Sequence, residues 1–122
     1  MKIKQVRNDQ INVGDIVLVG KFHTNANGDL CFRKQAKHSE SEYRCGYGRV
    51  YFLTENKKII KIGGSSTKGG IKETIDGYLN GKKGQPGESR FAINMLIVEK
   101  LAIRKNIEVY MILCPETYVR IN

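Results

Sequence analysis

Tyr51 and Lys61 are the residues of this chain whose types and spacing best suit them to chemistry. They stand in two short apolar runs, Gly48-Arg49-Val50-Tyr51-Phe52-Leu53 and Ile59-Ile60-Lys61-Ile62-Gly63-Gly64, separated by the charged turn Glu55-Asn56-Lys57-Lys58. Such runs read as the two strands of a β-hairpin. Side chains alternate along a strand, so the tyrosine and the lysine can share one face. A glycine-rich stretch from Gly63 to Gly70 then leads into a basic helix carrying Lys72. Phosphodiester hydrolysis needs a positioned or deprotonated water, a neutralised phosphate and usually a metal held by a carboxylate. A tyrosine hydroxyl can relay or position the proton where nearby cations favour its ionised form, and a lysine in reach can both do that and bind the phosphate. Lys72 would add a second positive charge. A tyrosine between Val50 and Phe52 is equally suited to a core with a satisfied hydroxyl, and only Lys61 and the glycine loop raise it above that.

The elements that must position these residues are legible along the chain. Asp15 to Phe22 reads as a strand, Asn25-Ala26-Asn27-Gly28 as a turn and Leu30-Cys31-Phe32 as a return strand. Lys34 to Arg44 is polar without a period and reads as a loop. Beyond the hairpin, apolar positions 71, 75, 78 and 79 predict a short amphipathic helix, weakened by Gly77. Asn80 to Gly87 is a basic loop. A longer helix is expected from about Ser89 to Lys105, its buried stripe formed by Phe91, Ala92, Met95, Leu96, Val98, Leu101 and Ala102. Ile107 to Leu113 is a third strong strand, stopped by Pro115. From residue 48 onward the order is β-β-α-α-β. The expected fold is α+β (α/β layered): a small three-stranded sheet with two packed helices over residues 47–122, preceded by a β-hairpin extension over residues 1–46.

The chain has 122 residues, the length of one domain, and 21 Lys and Arg against 12 Asp and Glu, a net charge of +9. That surplus favours an anionic partner, and nucleic acid is the commonest for a small domain. A solubilising lysine-rich surface is the alternative. No apolar run approaches the length of a membrane span, and the N-terminus lacks the apolar core of a signal peptide. Cys31, Cys45 and Cys114 form no close pair and read as reduced thiols of a cytoplasmic protein.

With the residues in view, the segment from Gly48 to Leu113 resembles the GIY-YIG nuclease family. Gly48-Arg49-Val50-Tyr51 stands for the first half of its motif and Lys61-Ile62-Gly63 for the second. Lysine in place of the second tyrosine resembles the restriction-enzyme branch. The resemblance implies that Tyr51 and Lys61 prepare the nucleophile. It also implies that Lys72, where the family carries arginine, holds the phosphate and that Mg²⁺ stabilises the leaving oxygen. A homodimer on two-fold DNA sites is implied as well. Arg49, Lys57, Lys58, Ser65, Lys68, Lys82 and Lys83 flank the site and are expected to contact DNA, solvated lysine being the competing reading.

Three features depart from that pattern. The branch has a histidine where this chain has Gly64, and lysine lacks the phosphate fork of arginine. The family's metal-holding glutamate lies on a helix beyond the third strand, whereas this sequence runs only nine residues past Leu113, with Glu116 beside Pro115. The sequence therefore singles out no metal ligand. A catalytically inactive relative, a fragment, or a carboxylate from an oligomer partner or from Glu73, Glu88 or Glu99 each fits.

Other motifs fail on spacing. Gly63 to Gly70 misses the Walker pattern whichever glycine starts the count, although its backbone N–H groups could still meet a phosphate. His23, Cys31, His38 and Cys45 match no standard zinc site. The expected function is Mg-dependent cleavage of DNA. The alternative is an inactive nucleic-acid-binding or inhibitory protein on the same scaffold, as in phage–host or restriction conflict.

Overall fold

The computed structural model describes residues 11–81 and 88–114. Its elements are β1 (Ile16–Thr24), β2 (Leu30–Lys34), α1 (Glu40–Tyr43), β3 (Arg49–Glu55), β4 (Lys58–Ser65), α2 (Ile71–Leu79), α3 (Ser89–Ala102) and β5 (Ile107–Leu113). The α+β class expected from the sequence is what the chain adopts. The strands form one antiparallel sheet in the order β2-β1-β5-β3-β4. The sheet therefore has five strands where three were expected. Pairing of β1 with β5 makes the N-terminal hairpin two strands of the main sheet, so the position 46/47 boundary falls inside a continuous structure.

Local chemistry explains the joints. Asn56 and Lys57 form a two-residue β3–β4 turn with φ of 49° and 73°, the left-handed geometry that matches strand twist. Asn56 anchors it by accepting, through Oδ1, the Asn106 N–H at 2.8 Å. Helix α1, expected as loop, begins where the Ser39 Oγ accepts the Glu42 N–H at 3.1 Å. Ser-x-x-Glu at 39–42 is the sequence signal for that start. Helix α3 ends at Ala102 rather than Lys105 because Arg104 turns left-handed at φ 64°. Arg104 N–H then bonds the Leu101 carbonyl at 3.0 Å and Lys105 N–H the Lys100 carbonyl at 3.1 Å, a Schellman closure.

Strand β5 shows how the core is built. Ile107, Val109, Met111 and Leu113 are buried while the alternating residues are half-buried. They share one core cluster with Ile71, Ile75 and Tyr78 of α2 and Ile97 of α3. The stripe expected for α3 is shifted: Met95 and Leu96 are exposed, and Asn94 and Ile97 are buried instead. A helix apolar on most of its circumference gives no clear period, and a polar contact of Asn94 decides its rotation. No helix among the described residues is long and apolar enough to cross a membrane.

Candidate active site

Tyr51 projects from the middle of β3 between Gly63 of β4 and Met111 of β5, its register partners. Gly63 is required by that placement: a Cβ there would lie 2.4 Å from Tyr51 Cζ and 2.5 Å from its hydroxyl oxygen. Tyr51 is 7% exposed, and its hydroxyl is 2.9 Å from that of Tyr78 on α2. Burial, and then the bond to Tyr51, push the Tyr78 hydroxyl above the ordinary tyrosine range. Tyr78 therefore keeps its proton, and either hydroxyl can donate in the bond between them.

Lys61, two residues before Gly63, lies on the same face of β4. The two residues singled out first by the sequence thus line one cleft of about 400 Å³, together with Thr67, Glu73, Thr74, Gly77, Tyr78, Arg90 and Ile93. Among the described residues Lys61 has no hydrogen-bond or ion-pair partner. Its ammonium is free to meet an anion in the cleft.

Lys72 is placed differently from expectation. Its Nζ sits 2.5 Å from Asp76 Oδ2, one turn along α2, and it does not line the cleft. Arg49 is not at the surface either. It is 3% exposed, and its guanidinium bonds Ser65 Oγ, Thr67 Oγ1 and the carbonyls of Cys45, Tyr47 and Thr67 at 2.7–3.1 Å. Arg49 and Ser65 therefore hold the glycine loop against the segment before β3, which leaves the arginine no donor pair for a phosphate. Lys57 bonds Glu108 at 3.1 Å and the Tyr110 hydroxyl at 3.2 Å. Lys58 and Lys68 are exposed, while Lys82 and Lys83 lie outside the described residues.

Of the carboxylates considered, Glu73 lines the cleft, with Oε2 accepting the Gly69 N–H at 3.0 Å. Glu88 and Glu99 are exposed and do not line it, and Glu116 lies outside the described residues. No group of three His, Cys, Asp or Glu able to hold a metal exists among the described residues. Magnesium commonly takes one or two carboxylates and completes its shell with waters and substrate phosphates. A single carboxylate with one oxygen uncommitted fits that mode, not a cage.

Three lining or supporting residues escaped the sequence reading. Tyr78 entered only as an apolar position of a short helix, and Arg90 and Asn94 were not singled out. Asn94 is 2% exposed and its Nδ2 donates to the Tyr78 carbonyl at 2.7 Å.

The chain superposes on a glutamate-to-alanine mutant of bacteriophage T4 EndoII with a TM-score of 0.64 at 15% identity, covering 93% of this chain and 74% of that one. It superposes on the restriction endonuclease HPY188I in complex with product DNA with a TM-score of 0.55 at 20% identity, covering 87% and 69%. The fold is one that a restriction endonuclease uses. No protein-family model and no curated protein matches the sequence.

Proposed function

We propose that this chain cleaves DNA phosphodiesters in the manner of a GIY-YIG restriction-type endonuclease, with a divalent cation such as Mg²⁺. The observation that carries the reading is that Tyr51, Lys61 and Glu73 line one cleft on a fold shared with a restriction endonuclease. Tyr51, held by the hydroxyl of Tyr78, presents its oxygen to the attacking water and positions it. Lys61, in the same cleft, attracts the phosphate by its charge and helps prepare the nucleophile. Glu73 would hold the cation, which when bound would neutralise phosphate charge and stabilise the leaving oxygen. The net charge of +9 would draw DNA to the surface. In the same reading two copies meet a two-fold DNA site in the cytoplasm.

The test is conversion of supercoiled plasmid to nicked or linear form with Mg²⁺ and with chelator, alongside binding to a short duplex. Metal-dependent cleavage supports the proposal. Binding without cleavage at any divalent cation would replace it with a non-catalytic DNA-binding protein.

A further inference from the structure

We infer that Arg90, on α3, grips the scissile phosphate in this cleft, the task expected of Lys72. The inference rests on the nuclease reading. Among the described residues Lys61 and Arg90 are the cations lining the cleft, whereas Lys72 is engaged with Asp76 and stands outside it. The guanidinium of Arg49 is consumed by its own loop, but that of Arg90 is exposed and among the described residues meets only Glu88 at 3.9 Å, a loose pair. An arginine fork matches two phosphate oxygens at once.

The surroundings hold that arginine in place. A Cβ on Gly81 would lie 2.3 Å from the Arg90 carbonyl oxygen and 3.0 Å from Asn94 Cβ, so only glycine lets the chain after α2 approach the first turn of α3 this closely. Asn94, one turn beyond Arg90, donates to the Tyr78 carbonyl. Tyr78 in turn bonds Tyr51. One series of contacts therefore fixes the backbone at Arg90 relative to the hydroxyl that would prepare the nucleophile.

The experiment compares cleavage kinetics and duplex binding across salt concentrations for wild type, Arg90→Ala, Arg90→Lys and Lys72→Ala, with thermal melts of each. Arg90→Ala should lower kcat/KM by about 100-fold or more and the slope of log affinity against log salt by about one. Arg90→Lys should recover part of both, and the loss from Lys72→Ala should be at least about tenfold smaller. Equal or larger loss from Lys72→Ala, or unchanged kinetics and slope in Arg90→Ala, would overturn the assignment while leaving the nuclease. Wild type that neither binds nor cleaves DNA would overturn both.

Discussion

Replacing Gly63 by alanine tests whether the hairpin is built around Tyr51. The new methyl would lie 2.4 Å from Tyr51 Cζ and 2.5 Å from its oxygen, against an ordinary carbon contact of about 3.5–4.0 Å. The ring end must retreat by about 1 Å. It has nowhere cheap to go, being 7% exposed and tied to Tyr78 at 2.9 Å. Overpacking costs about 1–3 kcal/mol, and parting two buried hydroxyls costs about 1–3 kcal/mol more. Relief of glycine's backbone entropy returns about 0.5–1 kcal/mol. The net is about 1–5 kcal/mol, or a fall in Tm of roughly 3–20 °C for a chain of this size. Gly64→Ala is the control, because its Cβ would meet only the Arg49 carbonyl at an ordinary 3.7 Å. Thermal melts of both variants, repeated in a Tyr51→Leu background, isolate the contact. Coupling between positions 51 and 63 below about 0.5 kcal/mol, or equal melting of the Gly63 and Gly64 variants, would refute the reasoning.

Two further perturbations test the scaffold around the cleft. Arg49→Met should destabilise by about 3 kcal/mol or more in urea unfolding, because it removes the donors for three carbonyls and two hydroxyls; a loss under about 1 kcal/mol would show the clamp to be idle. His38 is 2% exposed, both its ring nitrogens lack hydrogen-bond partners among the described residues, and burial holds its pKa below the ordinary histidine value of 6.5 despite Glu42 3.8 Å away. Lys34 also lowers it, while Glu40 raises it. The unfolded chain therefore binds this proton first, so His38 contributes stability above pH 6.5 that is lost as pH falls below that value. The urea midpoint should drop from about pH 7.5 to about pH 5.5 more steeply in wild type than in His38→Gln, and identical slopes would remove His38 as the cause.

The hairpin and both of its candidate residues were legible because strand alternation and a charged turn constrain Tyr51 and Lys61 locally. The five-stranded sheet was not, since insertion of β5 between β1 and β3 is a pairing of distant segments that no local pattern encodes. The surroundings of Lys72 were likewise not legible. Its helix was read correctly, but Asp76 one turn away pairs with the ammonium, and Arg90 of the next helix is the arginine that lines the cleft among the described residues. Arg49 shows the same limit: its burial depends on carbonyls of Cys45, Tyr47 and Thr67 that only the folded loop assembles. Asn94 carries a partial signal, as a polar residue within an apolar helix whose partner is the end of α2.

The most direct test of the central claim is plasmid cleavage by Tyr51→Phe and Lys61→Ala beside wild type, with Mg²⁺ and with melts confirming that both variants fold. The account predicts metal-dependent cleavage by wild type that falls by about 100-fold or more in each variant while DNA binding persists. Cleavage undiminished in both variants would place the chemistry elsewhere and contradict the account.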